Sequence, residues 1–226
     1  MFKKINPFSK SIVTFCLWLT ALLLSACIPV AGLSGSYRYV LSGINIVLPI
    51  AGGLFSFGSI GLLIGALWLL KIFFLSLPIT IGIPSACAML SWASTRQGSK
   101  QKMLNFAINA LLPAMCMAVF MLHPTAQAAC TYALYWLIPI VIYMVNRTNN
   151  SLLLALQSTF VAHAVGSIMW LFLIPMTAAQ WLALIPVVAL ERLSIAVLAA
   201  GLFTIIRMAS SLITATQGQL HKENEL

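Results

Sequence analysis

The sequence predicts an all-α protein that crosses a membrane several times, and two observations carry this prediction. The chain of 226 residues is 62% hydrophobic and only 7% charged. Several apolar runs are close to, or longer than, the roughly 20 residues that a helix needs to cross a bilayer. We therefore expect a polytopic helical bundle forming a single integral membrane domain over residues 1–226.

Positive charge lies mainly in short segments between the apolar runs. The formal net charge is +9, and the basic segments are residues 1–10, 94–102 and 146–150. Because cytoplasmic loops carry an excess of Lys and Arg, these segments and the polar tail 209–226 are predicted to be cytoplasmic. The positive charge thus indicates the topology of a bacterial inner membrane protein. It does not indicate nucleic acid binding, so no nucleic acid partner is expected.

Five apolar runs follow from this pattern. The first, Ser11–Pro29, leaves the cytoplasm, and the last four alternate across the membrane: Leu104–Leu122, Ala129–Val145, Ser151–Ile174 and Trp181 to about Met208. Trp170 and Trp181 flank the third outer loop, where aromatic side chains are expected at the membrane interface.

The region Tyr39–Ala93 is broken by Pro and Gly and allows either one crossing or three. Three helices of about 20 residues with turns would be tight in this length. We therefore favour one crossing, which makes six spans rather than eight with both termini cytoplasmic. The stretch "INIVLPIAGGLFSFGS", 44–59, is then partly an irregular or re-entrant element, which membranes tolerate only where protein or a polar cavity covers it.

The five cysteines show neither a CxxC pair nor a cluster with His, so neither a disulfide framework nor a metal site is expected. Residues 24–27, "LSAC", follow a basic start and an apolar run and resemble a bacterial lipoprotein signal with Cys27 as the lipidated residue. An uncleaved first helix that ends in small residues has the same sequence pattern. Both interpretations stay open.

Charged residues inside the apolar runs are the main functional signal, because a charge at mid-bilayer costs about 2.5 to 3.5 kcal/mol and usually faces a partner or a cavity. His163 lies 12 residues before Pro175 and Glu191 lies 11 residues after Gln180. Both therefore sit about 16 to 18 Å from the same outer loop. We predict a contact between His163 and Glu191, with Arg192 on a different face of its helix.

A structural interpretation accompanies this hypothesis. The same pair could act as a polar clamp between two helices, worth about 1 kcal/mol. Lys71 completes the predicted polar cluster if it points inward, and is otherwise a snorkelling residue whose amine reaches the membrane interface.

Motifs of known enzymes are missing from the chain. It contains no GxSxG, no HExxH, no Walker loop and no Asp. We therefore expect no enzyme and no cofactor, and any active transport has to draw energy from a partner or an ion gradient.

The stretch "INIVLPIAGGLFSFGSIGLLIGAL", 44–67, combines Leu-Pro, a Gly-Gly pair and Gly-Ser at the start of a long apolar helix. It resembles the substrate-binding S-components of energy-coupling-factor vitamin transporters, which have a similar length and commonly six helices. The resemblance implies a membrane-embedded protein that captures a vitamin-like molecule. It also implies a transmembrane coupling subunit and two ATPases as partners, although a basic N-terminal run and Lys71 depart from the family pattern.

The resemblance also implies a set of ligand-binding residues. Those within the motif would cap or line the pocket, polar residues from the last two helices would complete it, and two tryptophans could stack on a ring: Asn45, Gly52, Gly53, Ser56, Ser59, Gln157, His163, Glu191, Trp68 and Trp170.

Two alternatives to small-molecule uptake stay open. One is a membrane assembly or anchor subunit whose buried charges only hold the bundle together. The other is a proton-coupled secondary carrier that uses Glu191 and His163.

Overall fold

The computed structural model describes residues 29–31, 40–42, 44–55, 57–74, 79–95, 99–145 and 150–223. Its elements are β1 (Pro29–Ala31), β2 (Val40–Ser42), α1 (Ile44–Leu54), α2 (Phe57–Phe74), α3 (Ile79–Ser94), α4 (Ser99–Phe106), a π-helical segment (Ala107–Leu111), α5 (Leu112–Leu122), a 3₁₀ segment (Gln127–Trp136), α6 (Leu137–Val145), α7 (Ser151–Leu173) and α8 (Ala178–Glu223). Residues 11–28 of the predicted first helix, including Cys27, lie outside the described residues, and its last predicted residue, Pro29, belongs to β1.

Four helical stretches of the described chain are long and apolar enough to cross a membrane: Gln101–Leu122, Gln127–Val145, Ser151–Leu173 and Ala178–Ser211. They coincide with the last four predicted runs. A helical membrane protein is therefore supported, while six spans and the orientation of the termini stay predictions.

The region before these helices differs from its prediction. Residues 44–54 and 57–74 are helical, and α3 follows from Ile79, so three helices occupy the region for which we favoured one crossing. The expected irregular element is helical except for a break after Leu54. Helix α1 has 11 residues and is therefore about 16 Å long, roughly half of the hydrocarbon core.

Side chains cap the N-terminal ends of the last two helices. The Asn150 side chain accepts hydrogen bonds from the backbone N–H groups of Leu152 and Leu153, at 2.9 and 3.3 Å. Thr177 and Gln180 cap α8 reciprocally, since each side chain accepts from the backbone N–H of the other, at 3.3 and 2.8 Å. The short link between α7 and α8 makes them an antiparallel hairpin.

Helix α7 lies at the centre of the bundle. Its largest interface is with α3, and it also packs along α8, while α1 packs mainly against α3 and then α8. Five polar side chains of α7 are buried: Gln157, Ser158, Thr159, His163 and Ser167. They lie on more than one side of α7, since Gln157 bonds to α6 and Ser167 contacts Tyr132 of the 3₁₀ segment.

Irregular helix occurs twice between Ser99 and Val145. The π-helical segment interrupts the helix that runs from Ser99 to Leu122. The 3₁₀ segment is ten residues long and kinked at Ala129, whose φ and ψ are −112° and 27°. Runs of 3₁₀ helix beyond three or four residues are uncommon, and tertiary contacts have to support them.

Candidate binding pocket

A small polar pocket lies where α1, α3, α7 and α8 converge. Its walls combine four polar side chains with aliphatic ones: Asn45, Leu48, Pro49, Ser85, Ala88, Thr159, Ala162 and Arg192. The free space is about 10 Å³, which is room for about one water-sized group. Half of the lining residues are polar, whereas the pockets that enclose whole small molecules are mainly apolar and about 300 to 1,000 Å³ in volume.

Arg192 gives this pocket its only charged wall among the described side chains. Its Nη2 donates a hydrogen bond to Oε1 of Glu191, and the two side chains are 14% and 19% exposed. The buried Arg192 Nε has no hydrogen-bond partner within the described part of the chain. The guanidinium is thus neutralised by Glu191 but keeps an unused donor.

The predicted contact between His163 and Glu191 is not formed. Glu191 pairs with its neighbour Arg192 instead, and His163 Nε2 is buried without a hydrogen-bond partner among the residues that the structure describes. Adjacent residues point about 100° apart at Cβ, but the long, flexible Arg192 side chain spans that angle. The His163 ring packs against Tyr132 and Phe160, with centroids 5.5 and 6.1 Å away.

Two glycines were predicted to belong to a loop that caps or lines the ligand pocket, but both are positions of close helix packing. A Cβ at Gly52 would lie 2.2 Å from the Met89 carbonyl oxygen, so α1 and α3 touch backbone to backbone there. A Cβ at Gly53 would meet the rings of Phe203 and Trp92 at 2.8 and 2.9 Å. Both glycines lie within α1 rather than in a loop, and neither lines the pocket. They allow the close packing that brings Asn45 to Arg192.

Three further predicted ligand-binding residues, Gln157, Trp170 and Ser59, do not line this pocket. Gln157 is buried and its Nε2 donates to the Pro139 carbonyl at 3.3 Å, which joins α7 to α6. Trp170 packs at the edge of the aromatic core. Ser59, Trp68 and Lys71 belong to α2, and only the backbone of the last two is described. Ser56 lies outside the described residues.

An aromatic core that the sequence did not predict joins α5, the 3₁₀ segment, α7 and α8. Phe120 makes edge contacts to Trp136 and Trp181 at 5.2 and 5.1 Å, and Tyr132 lies 5.0 Å from Trp181. Each such pair is worth about 0.5 to 1.5 kcal/mol beyond burial. Trp181 is 1% exposed, so it is a core residue rather than the interfacial residue we predicted.

A second polar cluster, which we call the Asn109 network, joins α3 to the π-helical segment. Asn109 is fully buried, and its Oδ1 accepts from Ser91 Oγ at 2.5 Å. Its Nδ2 lies 2.7 Å from Asn105 Oδ1, 3.1 Å from Ser94 Oγ and 3.3 Å from the Ser91 carbonyl. Because these groups satisfy one another, the network is a structural clamp rather than a site for a ligand.

We expect the replacement Asn109→Leu to lower the free energy of unfolding by about 2 kcal/mol, because it leaves several buried polar groups without partners. Asn105→Leu removes one of these contacts from a half-buried position and should cost less than about 1 kcal/mol. Thermal unfolding of the purified proteins in detergent checks the order. Equal losses would contradict a central role for Asn109.

Sequence reasoning also missed Ser85 and Thr159 in the pocket wall. Thr159 precedes His163 by four residues on α7, so helix periodicity alone could have placed both side chains on one face. Ser85 carried no such signal, because a lone Ser in an apolar helix is common. Its place in the pocket depends on how α3 rotates against α7.

Fold and pocket together define a helical membrane protein with a small polar pocket inside its bundle. Comparison of the chain with protein-family models, curated proteins and solved structures gives no match. The geometry of the pocket is therefore the main indication of function.

Proposed function

We propose that this protein binds a small, vitamin-like molecule inside a bacterial inner membrane and takes part in its uptake, as S-components do. One observation carries the proposal. Four helices converge on a pocket in which Arg192 keeps a buried N–H without a partner among the described residues. Unsatisfied buried donors are costly, so a ligand that accepts this hydrogen bond gains affinity there.

The residue types in the pocket wall support binding rather than a purely mechanical role. A clamp between helices satisfies its own polar groups, as the Asn109 network does. The pocket differs, because Asn45, Ser85 and Arg192 surround free space together. A transmembrane coupling subunit with ATPases is the partner that the S-component resemblance implies, and we propose it on that resemblance alone.

Two hydroxyl deletions on α7 test the proposal. Thr159 and Ser158 are both buried, and each donates to the carbonyl three residues earlier, Thr159 to Leu156 at 3.0 Å and Ser158 to Ala155 at 2.9 Å. Only Thr159 lines the pocket. Native mass spectrometry should find a small molecule retained by the wild-type protein and by Ser158→Ala, and about fivefold less in Thr159→Val, the loss expected for one hydrogen bond.

Other results would point to other functions. If the purified wild-type protein retains no small molecule and Thr159→Val changes only thermal stability, the pocket is a structural feature, as in an anchor subunit. Uptake that persists without any coupling subunit but requires a proton gradient would favour a secondary carrier instead.

A further inference from the structure

We infer that the pocket recognises an uncharged solute through an amide-type edge, a carbonyl group beside an N–H. This inference rests on the proposed function and specifies the chemistry of its ligand. It follows from the charge, the donors and the acceptors that line the pocket.

The charge balance of the pocket argues against an anionic ligand. Arg192 is the positively charged side chain in the described wall, and Glu191 already pairs with it. His163, the nearby basic side chain, does not line the pocket. A ligand carboxylate would therefore give the Glu191, Arg192 and ligand group a net negative charge inside the bundle. Burying an uncompensated charge is far more costly than burying a hydrogen-bonded neutral group.

The hydrogen-bond donors and acceptors of the pocket wall indicate which polar atoms an uncharged ligand has to present. Arg192 Nε can only donate, and it has no partner in the described structure. The Thr159 hydroxyl proton is committed to the Leu156 carbonyl at 3.0 Å, which leaves the oxygen able to accept. Asn45 and Ser85 can do either. One fixed donor and one available acceptor match a ligand that presents a carbonyl oxygen and an N–H side by side.

The free space is smaller than the whole amide-type edge. Its volume of about 10 Å³ admits one oxygen atom. A carbonyl oxygen alone fits this space, so the adjoining N–H and the rest of the ligand require the helices to move apart. A hydrogen bond from a charged donor to this oxygen is about twice as strong as one between neutral groups, which orients the ligand.

Formamide and sodium formate are matched probes for this inference, because they share shape and size but differ in charge. We would label the full-length protein with ¹⁵N-arginine, place it in lipid nanodiscs and follow the Nε–H resonances of its arginines. The Arg192 resonance is identified by its loss in Arg192→Lys. Arg207, exposed on the same helix, serves as an internal reference.

Formamide should shift the Arg192 resonance saturably, and formate should need at least about tenfold higher concentration for the same shift. Thr159→Val should weaken the response to formamide, whereas Ser158→Ala should leave it unchanged. The Arg207 resonance should respond to neither probe.

Formate acting at an equal or lower concentration would overturn the inference, and so would the absence of any Arg192 response to formamide. Neither result decides the proposed function, which depends on whether the purified wild-type protein retains a small molecule. A retained molecule together with a formate-selective Arg192 would mean an anionic ligand in the same pocket.

Discussion

Gly52→Ala is expected to lower the free energy of unfolding by about 3 kcal/mol and to abolish binding in the pocket. The new Cβ would lie 2.2 Å from the Met89 carbonyl oxygen, whereas carbon and oxygen normally approach no closer than about 3.3 Å. Helix α1 would thus have to move about 1 Å from α3. A gap of this size forfeits roughly a quarter to a half of the dispersion energy across it.

The effect on binding follows from the place of Gly52 on α1. Asn45, Leu48 and Pro49 line the pocket from the same short helix, so displacement of α1 moves one wall of the pocket. Thermal unfolding in detergent and native mass spectrometry measure the two effects. Gly61→Ala is the control, because Gly61 lies on α2 and a Cβ there would have nothing within 4 Å. Similar stability for both variants would show that α1 does not pack on α3 as described.

Arg192→Met is expected to destabilise the protein by about 3 kcal/mol, because it leaves the Glu191 carboxylate without its partner in the bundle. The double variant Glu191→Gln/Arg192→Met removes both charges and should be more stable than Arg192→Met alone. We expect the double-mutant cycle to give a coupling energy of about 1 to 3 kcal/mol. Thermal or chemical unfolding of the four proteins measures it.

The matched control for this cycle is Arg207→Met on the same helix. Arg207 is exposed, and its guanidinium lies 5.8 Å from the centre of the Phe203 ring, a contact of about 0.5 to 1 kcal/mol at such a site. If the destabilisation in the double variant equals the sum of those in Glu191→Gln and Arg192→Met, the two side chains do not interact in the folded protein.

Both predictions connect stability to the pocket. Gly52 sets the distance between α1 and α3, and the Glu191–Arg192 pair sets the charge of the wall opposite α1. A variant with near-normal stability that loses binding, as expected for Thr159→Val, separates a ligand contact from these structural requirements.

Parts of the pocket could be predicted from the sequence. Asn45 was named through the S-component resemblance, and Arg192 was named because an intramembrane charge needs a partner. Both line the pocket. The partner was predicted wrongly, because depth along two helices places residues at one level but does not say which side chains turn towards each other.

The glycine pair and Trp181 likewise show that the sequence does not determine which side chains are in contact. A Gly-Gly pair in an apolar stretch is compatible with a ligand loop or with close helix contact. Only the tertiary structure, in which the Met89 carbonyl lies against Gly52, shows that it is a close helix contact. Trp181 follows a loop, where interfacial tryptophans are common. It is buried because the 3₁₀ segment brings Tyr132 and Trp136 next to Phe120.

The sequence by itself determined that this chain forms membrane helices and where the last four of them run. The reason is local: a lipid-embedded segment has to satisfy its own backbone hydrogen bonds, and an apolar run of about 20 residues does so as a helix. Tertiary structure alone decided which polar side chains meet. Helices that are apolar on nearly all sides have no single face that sets their rotation, so close packing at Gly52 and pairing at Arg192 orient them around the pocket.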